Sequence, residues 1–470
     1  MGKSYGIERG FYLTGLFAFN DENKRFYSIL LSLCIPIVIQ NLISTSVNII
    51  DTVMISSLGE VSVASVGIAN QYFFLFNMCL SGILGGSGMF ISQFLGKDDK
   101  TNIKKVTALS ILLGLLISMP FFLIALISPE SVIHIFSHDA EVVRQCREYL
   151  NVIVWCYPMI AVSIGFGVCS RSIKNPALGM KCSAIAIIVN VFFNYSLILG
   201  NFGFPALGVR GAAIATVIAR SVEVVLMVGY VYIYKKDYLL KFGFRHFRLM
   251  DKGFISAYYS KSMPVFLNDA LWAIATVCYS VAYAMAGTSA IAASQIATTT
   301  SNFFIITAVC LAIGSSIMLG NELGSNHIDR ALEYAKKLGI LVAIAGFVMG
   351  MLLIAAIPVL LVIFNVTPHL EPDIRKIFTI MGIMMALRSF NTFIIVGALR
   401  SGGDTKAALI IEMGSMWFVS VPLTFAAAYL GAPIYLIVMC SFAEEIVKVA
   451  FGLPRALSKK WARNIVKDIN

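Results

Sequence analysis

Ionisable residues fall inside long apolar stretches of this chain, where a charge is costly and asks for a chemical reason. They are Asp51, Arg220, Glu223, Asp269, Arg388, Glu412, Glu444, Glu445 and Lys448. Asp51 ends a polar stripe: Asn41, Ser44, Asn48 and Asp51 recur at three or four residues and so share one helical face. A carboxylate supplemented by amide and hydroxyl oxygens suits a hard cation or a proton; the plainer reading is a cap at a helix end near an interface. Farther along, Asn268 and Asp269 are followed by Trp272, Thr276, Tyr279 and Tyr283 at helical spacing, with Gln295, Thr298 and Asn302 in the next stretch. Acid, amide and ring on one face can hold an organic cation that has shed its water, each ring contributing about 0.5 to 2 kcal/mol. The alternative is ordinary core packing, with Asp269 neutralised by Arg388. Glu444 and Lys448 are four apart and Arg220 and Glu223 three apart, spacings at which ions pair along one helix.

Helices that cross a bilayer must position these groups. The 470 residues are 58% hydrophobic and 13% charged, and the mean hydropathy is +0.84. Soluble enzymes, secreted disulfide scaffolds, disordered chains and free nucleic-acid binders are excluded by that balance. Windows of about 20 apolar residues predict twelve spans, near 28–50, 64–90, 106–127, 149–169, 181–200, 211–234, 262–285, 290–318, 338–364, 377–399, 407–429 and 433–453. Lys and Arg collect at the two termini and in the loops after even-numbered spans, including Lys97, Lys100, Lys104, Lys105, Arg171 and Lys174. The opposite loops hold only Arg144, Arg147, Arg210, Arg375 and Lys376. Basic residues are retained on the cytoplasmic face, so both ends are expected there, in the cell membrane. The excess of 36 Lys and Arg over 25 Asp and Glu is thus a signal of topology, not of an anionic partner. The short run Phe11–Phe19 lacks a cleavage site and is expected to lie at the interface.

The nine cysteines form no C-x-x-C pair and read as packing residues. His134 and His138 have metal-ligand spacing but no evident third ligand, so no metal centre is expected from them. A shift of 228 positions superposes Pro36 on Pro264, Gly59 on Gly287, Ala69 on Ala297, Gly86 on Gly314, Ser87 on Ser315, Leu95 on Leu323 and Gly96 on Gly324. A shift of 229 continues it, laying Arg171 and Ser172 on Arg400 and Ser401. Six spans separate the repeats, so two like-oriented, pseudo-symmetric six-helix bundles are expected, enclosing a cleft suited to alternating access. The expected organisation is an N-terminal segment 1–27, a bundle over 28–234, a basic linker 235–261, a second bundle over 262–453 and a tail 454–470.

The same stretches resemble a known family. Ile50-Asp51-Thr52 with Leu58-Gly59 and Ala64 to Ala69, Gly208 to Ala219, Ala292 to Ala297, and Gly397 to Thr405 together resemble the MATE (multidrug and toxic compound extrusion) transporters, over about residues 28 to 453. The resemblance implies a transporter of bacterial or archaeal type that exports organic cations in exchange for Na⁺ or H⁺. It implies that Asp51 belongs to a cation site in the first bundle, to which span 5 brings Asn190 and Asn194 and span 6 brings Thr216. Many family members carry a second aspartate where this chain has Asn194, so the site here holds one fewer negative charge. In the second bundle the resemblance places an acid on span 7, which Asp269 matches, with Asn268, Trp272, Tyr279 and Gln295 as the candidate substrate face.

Secondary antiport of amphipathic organic cations is the leading expectation, by a monomer whose partners are small molecules and the lipid bilayer. A lipid-linked precursor flippase of the same superfamily is the alternative, though it calls for cationic side chains in the cleft. A membrane-embedded enzyme is remote: the chain has no H-E-x-x-H and no G-x-S-x-G motif. No Walker loop is present, so no self-contained ATP-driven pump is expected and the only cofactor is the coupling ion.

Overall fold

The structure, a computed structural model, describes residues 21–234, 238–364, 366, 368, 370–467 and 469, with backbone alone at 47–49, 288, 289 and 292. Phe11–Phe19, Lys235, Lys236 and His369 lie outside the described residues, as does the side chain of Asn48. Every regular element among the described residues is helical. The first bundle comprises α1 (Asp21–Ser56), α2 (Glu60–Gly96), α3 (Lys100–Ile127), α4 (Ala140–Ile153 continued by Cys156–Ser172), α5 (Pro176–Leu199) and α6 (Gly208–Tyr234). The second comprises α7 (Lys252–Met285), α8 (Thr288–Gly324), α9 (Ile328–Ile363), α10 (Glu371–Leu399), α11 (Thr405–Tyr429) and α12 (Ile434–Ser441 continued by Ala443–Leu457).

Ten of these helices are long and apolar enough to cross a bilayer unbroken. The fourth expected span is instead bent by 50° between its two parts. Pro158 lacks the N–H that would bond the carbonyl of Val154, and Tyr157 N takes that carbonyl at 3.0 Å. The twelfth is interrupted after Ser441, and the freed N–H of Glu444 donates to Ser420 Oγ at 2.6 Å. The second half of α12 therefore opens with Glu444 and Glu445, a placement its helix dipole favours.

The repeat seen in the sequence is repeated in the backbone. Gly59 and Gly287, one shift apart, both precede a helix with φ of 101° and 106°, a conformation that demands glycine. Asp98 and Asn326, also one shift apart, both follow a helix with φ of 55° and 61°. The bundles meet through α2 against α7 and α8, and α1 against α8, contacts that the shift maps onto one another. They also trade the first turns of their leading helices. Phe26, Leu30 and Leu33 of α1 join the core of the second bundle with Leu319, Leu338 and Ile394. Phe254 and Tyr258 of α7, the mates of Phe26 and Leu30, join the core of the first with Phe90 and Val106.

At the end where α2 and α8 finish, the approach is backbone on backbone. A Cβ at Gly96 would overlap the carbonyl oxygen of Asn321, and a Cβ at Gly324 would overlap that of Gln93. Gln93 Nε2 donates to the carbonyls of Ser401 (2.8 Å) and Arg463 (3.1 Å), and its Oε1 accepts from Ile465 N at 2.9 Å. The tail straps this junction: Trp461 is buried in the second bundle's core and Val466 in the first's. The cysteines serve as packing groups where the structure shows them, Cys34 lying against Gly314.

Candidate functional site

Three helices of the first bundle converge on Asp51. Its Oδ1 accepts from Asn194 Nδ2 at 2.6 Å. Asn194 sits one turn from Asn190 on α5, and the same Nδ2 donates to Asn190 Oδ1 at 3.2 Å. Asn190 Nδ2 in turn reaches Thr216 Oγ1 on α6 at 3.5 Å. All four residues singled out in the sequence are thus brought together. They line one cavity of about 660 Å³, with Ser44, Asn70, Asn77, Tyr149 and Arg220 among the other walls. Asn194 is 1% exposed and its Oδ1 has no partner. A buried amide oxygen left unpaired is costly, and a half-turn of this amide presents that oxygen beside the carboxylate. Carboxylate, amide oxygens and hydroxyl form the donor set of a hard cation.

From Ser183 and Arg220 in this wall runs a second polar chain. Gln40 Nε2 donates to Ser183 Oγ at 2.9 Å, Ser183 Oγ to Glu223 Oε1 at 2.7 Å, and Arg220 Nη1 to Glu223 Oε2 at 2.7 Å. The pairing of Arg220 with Glu223 follows the three-residue spacing. Asn70, Asn77 and Tyr149 were not identifiable as site residues: the two amides sit in an apolar stretch of α2 with no ionisable residue to mark a polar face, and the charges next to Tyr149 on α4 belong to an exposed face.

The second bundle departs from expectation. Asp269 pairs with Arg400 Nη2 at 2.7 Å, not with Arg388, whose Nη1 reaches Ser301 Oγ at 3.3 Å. Asn268 Nδ2 donates to Glu412 Oε2 at 2.6 Å, and Tyr279 OH to Glu444 Oε2 at 2.8 Å. Lys448 Nζ lies 3.0 Å from Glu444 Oε1 and 3.9 Å from Glu412 Oε1, and Asn391 Nδ2 donates to Glu445 Oε2 at 2.8 Å. The polar face of α7 is therefore spent on Arg400, just past α10, and on α11 and α12. Trp272 packs beside Tyr279, Met413 and Met416, while Gln295 is exposed on α8. Of these five candidates, Asn268, Asp269 and Tyr279 are each engaged by a partner on another element. The reason is that acids on α11 and α12, buried in the same low-dielectric interior, need donors, and α7 supplies them. Tyr279→Phe is accordingly expected to act on stability: loss of one hydrogen bond to a charged group costs about 1.5 kcal/mol, visible as a lower melting midpoint in detergent. An unchanged midpoint would remove Tyr279 from the structural network.

Comparison with known proteins follows the same outline. Residues 36–196 and 264–426 match the MatE family, one match per bundle. The uncharacterized transporter YisQ of Bacillus subtilis is 26% identical over 438 residues, covering 92% of this chain and 94% of that one. The probable multidrug resistance protein NorM of Thermotoga maritima is 22% identical over 453 residues, covering 93% of each. A solved structure of a point mutant of the Vibrio cholerae MATE transporter VcmN superposes with a TM-score of 0.84 at 16% identity, covering 93% of this chain and 99% of that one.

Proposed function

The chain belongs to the MatE family, a transporter and not an enzyme, and from that premise we propose that it works as a secondary antiporter. In this reading it exports amphipathic organic compounds bearing a positive charge, in exchange for Na⁺ or H⁺, with both termini cytoplasmic. The observation that carries the proposal is Asp51, set in a 660 Å³ cavity with Asn194 on its carboxylate and Asn190 and Thr216 beyond. Coupling requires that ion and substrate each bias the same two states. Competition for one carboxylate does this, because whichever cation occupies Asp51 excludes the other. The membrane supplies the work: one charge crossing 100 mV yields about 2.3 kcal/mol.

Purified protein in liposomes tests the proposal. A fluorescent organic cation is expected to move against its gradient when Na⁺ or H⁺ is imposed from the opposite side. Movement indifferent to either gradient, or lipid scrambling in its place, would overturn it. The charge count of the site makes a second prediction. Asn194→Asp places another carboxylate 2.6 Å from the first. The half-saturating Na⁺ concentration for exchange is expected to fall roughly tenfold, about 1.4 kcal/mol. If protons are the coupling ion, the pH optimum moves upward instead, since two carboxylates sharing a site raise one another's affinity for a proton. A variant unaltered in both titrations would place position 194 outside the ion's reach.

A further inference from the structure

Among the described residues, the charged groups lining the first bundle's cavity are Asp51 and Arg220. Arg220 follows Thr216 by four residues on α6, about 6 Å along the axis. Thr216 belongs to the Asp51 cluster, so the cavity is negative at one level and positive about a turn deeper. The arginine side chain is 40% exposed although it sits in a spanning helix, which means it faces the cavity and not packed protein.

Its counter-ion does not absorb it. Glu223, whose side chain is 5% exposed, takes a single N–H from Arg220, and its other oxygen is held by Ser183, itself held by Gln40. Glu223 is a fixed anchor set behind the cavity wall. It orients the guanidinium while engaging one N–H of a five-donor planar fork, on a side chain that lines the cavity. Such a fork matches an oxyanion by two parallel hydrogen bonds. The walls of the same cavity also offer the amides of Asn70, Asn77 and Asn190, and the rings of Phe73, Tyr149 and Tyr157. A ligand with positive charge alone would meet Asp51 favourably and Arg220 unfavourably.

We propose that this cavity recognises a zwitterionic aromatic amphiphile, its cationic group at Asp51 and its oxyanion, a carboxylate, sulfonate or phosphate, at Arg220. The proposal rests on the reading of Asp51 given above and adds the half of the substrate that Asp51 cannot select. It also gives the exchange a division of labour. The cationic group displaces the coupling ion, while Arg220 holds the ligand by a contact for which neither Na⁺ nor H⁺ competes.

Rhodamine B and its ethyl ester differ by one carboxylate and serve as the probes. Equilibrium binding to the full-length protein in detergent, followed by fluorescence polarisation, is expected to favour the zwitterion by at least about tenfold. Arg220→Gln combined with Glu223→Gln removes the pair together, stranding no buried charge, and is expected to abolish that preference. Arg220→Lys keeps the charge and the Glu223 partner but loses the fork. It is expected to lose most of the preference and is the deciding variant if the double one does not fold. Equal or tighter binding of the ester by the unaltered protein overturns the proposal, as does full preference surviving in either variant. The measurement uses no gradient and so separates the two readings. Zwitterion preference without gradient-driven movement leaves this inference standing and removes antiport. Gradient-driven movement with ester preference does the reverse.

Discussion

Asp51→Asn is expected to reduce gradient-driven export in liposomes by roughly a hundredfold while leaving the melting midpoint in place. The substitution keeps shape and hydrogen-bonding capacity. Asn194 already donates to this position at 2.6 Å, and an amide oxygen at 51 can accept the same bond. What is lost is the charge. Interactions with an ionised partner contribute about 1.5 to 3 kcal/mol each, and 2.7 kcal/mol corresponds to about two orders of magnitude in affinity. An Na⁺ or H⁺ gradient then has nothing to load, and a cationic substrate has nothing to displace. Export persisting within a few-fold of the unaltered protein would show that the exchanged cation is held elsewhere, and the buried acids of α11 and α12 would become the place to look.

How much of this could be read in advance depends on what kind of contact each feature is. Helical spacing reports which residues share a face, and so the stripe ending in Asp51 and the pair Asn190 and Asn194 were legible once their helices were delimited, while the meeting of these with Thr216 was implied by the resemblance to the MATE transporters. Spacing also paired Glu444 with Lys448 and Arg220 with Glu223, because both contacts lie within one helix. It has no access to a partner on another helix. Asp269 and Arg400 are 131 positions apart, and nothing in the period of α7 chooses Arg400 over Arg388. The same limit explains the candidate substrate face. Asn268, Trp272 and Tyr279 share a side of α7 as expected, but on that side Asn268 is engaged by Glu412 and Tyr279 by Glu444. The break in α12 was hidden for a different reason. An apolar window averages over Ser441 and Phe442, whereas the interruption is decided by a single hydroxyl, Ser420, standing ready for the N–H of Glu444. Likewise the 228-residue shift reveals that Phe26 and Phe254 are equivalent without revealing that each packs in the other bundle's core.

The shift does carry one consequence as far as a measurable result. Gly324→Val is expected to hold apart the end where α2 and α8 finish. A Cβ there would fall on the carbonyl oxygen of Gln93, which is backbone and has no rotamer to yield. The surroundings are equally committed: Asn464 Nδ2 donates to the carbonyl of Gly324 at 3.2 Å, and Ser325 Oγ to that of Gly96 at 2.8 Å. Overpacking of this kind costs about 1 to 3 kcal/mol, enough to move a two-state equilibrium about five- to 150-fold toward the separated arrangement. Spin labels at Lys100 and Arg330, both exposed beyond the junction, are expected to show a longer distance in the variant and a fall in export of similar size. Because Gly96 meets Asn321 as Gly324 meets Gln93, Gly96→Val is expected to produce the same lengthening. A single contact used twice must fail the same way from either side. Alternating access in the proposed antiport requires this end to part and rejoin in every cycle, so unchanged distances and undiminished export in both variants would mean that these glycines do not form the moving junction.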